Sequence, residues 1–220
     1  MSWINKDTEI YCSFAETAGN TGCQMMNSAF YYYGLNKVYK SFSVDNIEKA
    51  VDAVRALDIR GFAITMPYKK EILQYVDSIE KNTEKIGAAN TVINDDGKLV
   101  AYNTDYLSAK SFLESASGKR EYSGFYILGS GGYASAVKQA AEDIGREYTN
   151  INRDEWDKIY TINDSLVFNC TPVSGISSKI SATNEFIDCI VTTTTGRKLA
   201  LTQASHQFKM YTGLEFPFQY

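Results

Sequence analysis

The stretch Phe125-Tyr126-Ile127-Leu128-Gly129-Ser130-Gly131-Gly132-Tyr133-Ala134 decides how the second half of this chain folds. A short apolar run of strand type passes straight into a glycine-rich turn, and an Ala-rich helical segment follows to about Ile144. Strand, turn and helix in that order satisfy the G-x-G-x-x-A pattern of dinucleotide-binding units. Gly129 permits the tight bend, Gly131 lets backbone approach a pyrophosphate, and Ala134 keeps the helix close to the strand. The helix N-terminus adds N–H groups and partial positive charge for the phosphates. Ser130, Gly132 and Tyr133 complete the candidate cofactor loop. Glycine-rich turns also occur without any ligand, but in this setting dinucleotide binding is the better reading.

Working outward, further strands are expected at Tyr148 to Ile151, Leu166 to Asn169 and Ile187 to Val191. The second of a dinucleotide unit's strands ends at its ribose reader, here Asn152-Arg153-Asp154. Arg153 suits a 2′-phosphate and Asp154 a free 2′-hydroxyl, so NADP is favoured slightly over NAD; an exposed loop ion pair is the bland alternative. The span from Asn152 to Asn169 leaves little room for a crossover helix beyond Asp154 to Tyr160. A reduced Rossmann-like unit of four parallel strands is therefore expected.

The first hundred residues alternate strand and helix patterns. Ile10 to Phe14 reads as a strand, Cys23 to Tyr33 as a helix ended by Gly34, and Val38 to Val44 as a second strand. Asp45 is a plausible N-cap for Ile47 to Leu57, where Ile47, Val51, Val54 and Leu57 share one face. Gly61 to Thr65 makes a third strand, and Pro67 suits the first turn of a helix that Lys69 opens. The pattern is βαβαβα, a mostly parallel sheet covered by helices. Val92-Ile93 and Leu99-Val100, joined through Asp95-Asp96-Gly97, add a hairpin at one edge. Folding that hairpin draws Asn90 towards Asp105 at its other end, near Lys69. A lysine, a carboxylate and a carboxamide so gathered suit proton transfer at a hydroxyl.

A helix from Tyr106 to Leu113 should link the halves, with the polar stretch Ser115-Ala116-Ser117-Gly118-Lys119-Arg120 behind it. The final helix, about Lys198 to Tyr211, puts Leu201, Ala204, Phe208 and Tyr211 on one stripe that can return to the first domain. The fold class is thus a two-domain α/β protein. Residues 1–105 with 198–220 form the substrate domain, and 106–197 form the dinucleotide-binding domain.

The composition fits a globular protein: 220 residues, 44% hydrophobic and 22% charged. A net charge of -4 argues against non-specific nucleic-acid binding. No apolar run reaches the roughly 20 residues of a membrane span. Met1-Ser2-Trp3-Ile4-Asn5-Lys6-Asp7 lacks a basic region followed by an apolar stretch, so no secretory signal peptide is expected. Cys12, Cys23, Cys170 and Cys189 are widely spaced, which favours reduced thiols in a cytoplasmic protein and no metal site.

Taken together, the motifs resemble the shikimate dehydrogenase family. They are Gly61-Phe62-Ala63-Ile64-Thr65-Met66-Pro67-Tyr68-Lys69, Ile86-Gly87-Ala88-Ala89-Asn90-Thr91, Asn103-Thr104-Asp105, the glycine loop, Asn152-Arg153, Asn169-Cys170-Thr171-Pro172, and Gln203 with Phe208 and Thr212-Gly213. The stretch through Tyr39 looks most like a divergent, shikimate dehydrogenase-like branch. The resemblance implies an NAD(P)-dependent oxidoreductase that reversibly oxidises a secondary hydroxyl of a shikimate-like cyclic hydroxy acid, with a place in aromatic amino acid biosynthesis. It makes Lys69 and Asp105 the catalytic pair. Thr21, Thr65, Asn90 and Gln203 become substrate-binding residues, and Asn152, Arg153 and Thr171 join the glycine loop at NADP or NAD. The implied partners are a small hydroxy acid and the cofactor, with a monomer or homodimer as the assembly.

Singly, each residue has a plainer role: Lys69 a solvated lysine, Asp105 a helix cap, Asn90 a partner for backbone groups, Gln203 an exposed helix residue. Their joint order favours function for Lys69, Asp105 and Asn90 and is even for Gln203. The lone histidine, His206, reads as a surface helix residue. Three positions depart from the family. Cys23 stands where a second carboxylate-binding serine is expected, leaving Thr21, with Ser13 upstream as a substitute. Ala63 replaces an asparagine, and Val191 stands where many members carry a tyrosine. Those departures predict a different ligand or weak shikimate turnover. They keep open a non-catalytic or weakly active binding homologue, and an NAD-linked dehydrogenase for quinate or an aminated analogue.

Overall fold

The computed structural model describes residues 4–117 and 120–218. Met1-Ser2-Trp3 and, within the polar stretch, Gly118-Lys119 lie outside the described residues. The chain divides into two compact units, Met1–Thr104 with Gln203–Tyr220, and Asp105–Thr202.

The first unit is built on a six-stranded sheet of β1 (Glu9–Ala15), β2 (Lys37–Ser43), β3 (Gly61–Ile64), β4 (Ser78–Ile79), β5 (Thr91–Asp95) and β6 (Lys98–Tyr102), ordered β2-β1-β3-β5-β6-β4. β1 pairs in parallel with both β2 and β3, and β5 runs antiparallel to β3 and β6. Alternation along β1 sorts its residues. Cys12 and Phe14 join a core with Ile47, Val51 and Val54 of helix α2 (Ile47–Ala56). Tyr11 joins another with Met26, Ala29 and Phe30 of α1 (Thr21–Tyr32). Ala204, Phe208 and Tyr211 of the expected C-terminal stripe join that second core, whereas Leu201 is half-buried and belongs to the second unit.

Three expectations are corrected here and one element is added. Asn46, not Asp45, caps α2, its side chain accepting the Lys49 N–H at 2.8 Å. No α-helix follows Pro67: residues 66–70 form turns, and only a 3-10 helix, Glu71–Gln74, follows. The cause is tertiary. The Lys69 carbonyl accepts the Ala89 N–H at 2.7 Å, so it is committed outside any helical ladder. The hairpin is also not at the edge, because β4 pairs in parallel with β6 beyond it. Helix α3 (Lys81–Ile86), which the sequence reading lacked, is capped by Glu80 and ended by Gly87 in the left-handed region at φ 66°.

The second unit carries a four-stranded, all-parallel sheet of β7 (Phe125–Leu128), β8 (Thr149–Ile151), β9 (Leu166–Asn169) and β10 (Glu185–Asp188), ordered β10-β9-β7-β8. Helix α5 (Gly132–Asp143) follows β7 and buries Ala134, Ala136, Val137, Ala140 and Ala141. Between β8 and β9 stand only 3-10 turns, Arg153–Thr161, broken by a kink at Glu155. The last strand lies at Glu185–Asp188, upstream of its expected position. Helix α4 (Thr104–Ser117) is longer than expected, and α6 (Thr194–Thr212) starts within the run Thr192-Thr193-Thr194-Thr195.

Candidate active site

In the first unit the hairpin turn Asp96-Gly97 has φ of 47° and 91°, the two positive values of a type I′ turn. Its register pairs Thr91 with Tyr102 and Asp95 with Lys98, which brings the residues just outside the strands together. Asn90 Oδ1 accepts the Thr104 N–H at 2.7 Å, and Asn90 Nδ2 donates to Thr104 Oγ1 at 2.9 Å. Thr91 Oγ1 donates to Asn90 Oδ1 at 2.9 Å. Asn103 Nδ2 donates to the Ala88 carbonyl at 2.7 Å. Asn90, Thr91 and Thr104 are all buried, so these bonds replace water and fix the carboxamide.

The Thr65–Lys69 turn is pinned to the same place. Ile64 N–H donates to the Asn90 carbonyl at 2.8 Å, and Ala89 N–H to that of Lys69. Tyr68 Oη donates to the Val44 carbonyl at 2.7 Å, anchoring the turn from the other side. Lys69 is half-buried, whereas Thr65 and Lys70 are exposed. Asp105, fully buried, is the second residue of α4 and directly follows Thr104. Lys69 belongs to the first unit and Asp105 opens the second.

At the start of α1 the side chains are already engaged. Cys23 Sγ accepts the Ser41 N–H at 3.1 Å and lies 3.2 Å from Ser41 Oγ, to which Ser13 donates at 2.9 Å. Cys23 and Ser41 border a recess of about 340 Å³ lined also by Gly19, Asn20, Lys40 and Ser43. Thr21 is the first residue of α1. Gln203 is half-buried, but Gln207 one turn later is buried and donates to Thr91 Oγ1 at 3.0 Å. Gln207 was missed in the sequence. Its signal is a carboxamide beside the Ala204, Phe208 and Tyr211 stripe. Burial and the nearby Lys209 charge lower the pKa of half-buried His206.

In the second unit the glycine loop meets the geometric needs of a dinucleotide. β7 is flanked by β8 on one side and β9 on the other, so the chain reverses its sheet order at β7, where α/β sheets bind ligands. Gly129 has φ 107°, and a Cβ there would stand 2.8 Å from Thr171 Cγ2. A Cβ on Gly131 would meet nothing within 4 Å, leaving space against the backbone. Helix α5 starts with no side-chain cap and no acidic residue in its first turn, so nothing internal competes with an anion there. Asn152 Oδ1 is buried without a hydrogen-bond partner among the described residues, as fits a residue kept for a ligand. Arg153 and Asp154 are exposed beside it. Thr171 Oγ1 donates to Asn169 Oδ1 at 2.7 Å, and Asn169 Nδ2 to Asp188 at 3.1 Å. These residues fit a dinucleotide.

A Rossmann-like unit and an α/β unit carrying a lysine turn and a buried asparagine define a two-unit α/β protein of dehydrogenase architecture. The profile of the shikimate dehydrogenase substrate binding domain matches residues 21–92. A shikimate dehydrogenase-like protein of Haemophilus influenzae is 38% identical over 148 residues, covering 67% of this chain and 54% of that protein. The NADP(+) shikimate dehydrogenase of Methanocaldococcus jannaschii is 44% identical over 115 residues, 51% of this chain and 41% of the relative. The chain thus spans about half the length of the curated relatives it matches. Among solved structures, a shikimate 5-dehydrogenase-like protein superposes with a TM-score of 0.80 at 27% identity, covering 97% of this chain and 94% of the other. A shikimate dehydrogenase in complex with NADP+ gives 0.77 at 27% identity, with 97% and 93% covered. This chain belongs to the shikimate dehydrogenase family.

Proposed function

We propose that this protein is an NAD(P)-dependent dehydrogenase that reversibly oxidises a secondary hydroxyl of a shikimate-like cyclic hydroxy acid. The observation that carries the reading is the pinning of Lys69 and Asn90 to one stretch of chain, through Ala89 N–H to the Lys69 carbonyl at 2.7 Å. A proton-transfer lysine and a hydroxyl-binding carboxamide need that fixed spacing.

In this reading the bound nicotinamide ring supplies the hydride acceptor. Lys69 Nζ takes the hydroxyl proton as the carbon–hydrogen bond breaks and the carbonyl forms, and returns it in reduction. Asp105, carried by the first turn of α4, is the second member of the catalytic pair. Asn90, Thr65, Thr21 and Gln203 bind the remaining polar groups of the acid. Gly129 to Ala134 cradle the pyrophosphate, with Asn152 and Arg153 at the adenosine ribose and Thr171 beside Gly129. NADP fits Arg153 better than NAD does. The enzyme acts in the cytoplasm, in aromatic amino acid biosynthesis, as a monomer or homodimer.

A second reading, a weakly active or non-catalytic binding homologue, is favoured by Cys23. Its sulfur is committed to Ser41 where a free hydroxyl would bind a carboxylate. The experiment is an assay at the reduced-nicotinamide band with shikimate and quinate, each with NADP+ and NAD+. Turnover that Lys69→Ala removes supports the dehydrogenase. Tight binding of the acid without turnover supports the second reading.

A further inference from the structure

Asn90 makes its contacts through a carboxamide whose two edges have nearly the same shape, so its partners decide which edge carries the oxygen. One partner is unambiguous: Thr104 N–H is a donor, 2.7 Å from Asn90 Oδ1. The second, the Thr91 hydroxyl 2.9 Å away, has one proton and lone pairs, and can serve either edge. Gln207 settles its direction. Gln207 Nε2 lies 3.0 Å from Thr91 Oγ1 and 3.4 Å from the Asn90 carbonyl, an acceptor, which sets the nitrogen edge of Gln207 towards both. With an N–H aimed at Oγ1, the single Thr91 proton turns to Asn90 Oδ1. Gln207, Thr91, Asn90 and Thr104 are all buried, so water does not scramble the pattern.

We infer that Gln207 is a positioning residue that locks, through Thr91, the polarity that the Thr104 N–H gives Asn90. Asn90 Oδ1 is then committed within the first unit, and Nδ2, which also donates to Thr104 Oγ1 at 2.9 Å, is the edge that meets whatever else Asn90 reaches. A ligand group at Asn90 must therefore accept a hydrogen bond: a hydroxyl, carbonyl or carboxylate oxygen, not an ammonium. The ligand half of this inference rests on the substrate role proposed for Asn90; the polarity half does not.

The test uses the full chain with 15N-labelled asparagine. The Asn90 side-chain amide signals are assigned by their loss in Asn90→Asp. Gln207→Met keeps the volume and removes the donor. It should shift the Asn90 amide signals and raise KM for the hydroxy acid roughly tenfold, the effect of one neutral hydrogen bond, with kcat within about twofold. Thr91→Val should shift the same signals, and adding Gln207→Met to it should do little more. An unmoved Asn90 amide in folded Gln207→Met or Thr91→Val overturns the inference. If the amide moves but neither wild type nor variant binds shikimate or quinate, the polarity relation is supported and the proposed substrate fails. Preferred binding of an aminated analogue, with the ammonium at Asn90, contradicts the acceptor rule. A lower Tm with an unchanged amide and unchanged KM makes Gln207 merely structural.

Discussion

Asn90 Oδ1 holds the backbone N–H of Thr104 at 2.7 Å, so one side chain ties both ends of the β5–β6 hairpin to the start of α4. The bond separates stability from binding. Asn90→Ala strands a buried N–H and should destabilise the protein by about 1–3 kcal/mol, read as a lower urea midpoint. Asn90→Asp keeps an oxygen for Thr104 but loses the Nδ2 donor. It should unfold closer to wild type, yet bind the hydroxy acid at least about tenfold more weakly by calorimetry.

The two loop glycines should respond differently. Gly129→Ala places a Cβ 2.8 Å from Thr171 Cγ2 at φ 107°, and should destabilise the second unit by roughly 1–3 kcal/mol. Gly131 has φ -75° and open space at its Cβ position, so Gly131→Ala should fold normally. That alanine should nonetheless block the pyrophosphate. Thermal shifts with and without NADP+ distinguish the cases: Gly129→Ala starts from a lower Tm, whereas Gly131→Ala starts at wild type and gains less from the cofactor.

The outer strand β4 should be acid-sensitive. Asp77 accepts the Leu99 N–H at 2.7 Å and pairs with Arg55 at 3.0 Å, and these hold its carboxyl below the ordinary value of 3.8. A lowered folded-state pKa gives stability that is complete above pH 3.8 and lost as the pH falls through the folded value. Asp77→Asn should therefore be less stable than wild type at neutral pH, with the difference shrinking below pH 3.8 in urea titrations. A difference constant with pH would contradict the assignment.

Cofactor choice should divide between two neighbours. Arg153→Ala should weaken NADP+ more than NAD+, and Asp154→Ala should do the reverse. Competition binding with both dinucleotides reads the ratio directly.

The hairpin was legible because Asp96-Gly97 has few alternatives to a type I′ turn, and the glycine loop because strand, turn and helix all agree. What escaped was set by distant contacts. The helix expected at Lys69 fails because its carbonyl is held by Ala89, which no local propensity encodes. β4 is two residues long and rests on bonds of Asp77 and Glu80 to Leu99 and Ala101, too short for a periodic signal. Asp45 and Asn46 are both good caps, and the extended backbone at Asn46 decides between them. Gln207 looks like an ordinary polar helix residue until α6 is packed against Thr91.

The central claim is that Lys69 moves the proton when hydride passes between a hydroxy acid and a nicotinamide. The direct measurement is formation of reduced nicotinamide by the purified protein with shikimate and NADP+, beside folded Lys69→Ala. Loss of positioned acid–base catalysis costs roughly 10²–10⁴-fold, so the variant should fall at least about a hundredfold below wild type in kcat. Equal rates for the two proteins would contradict the account.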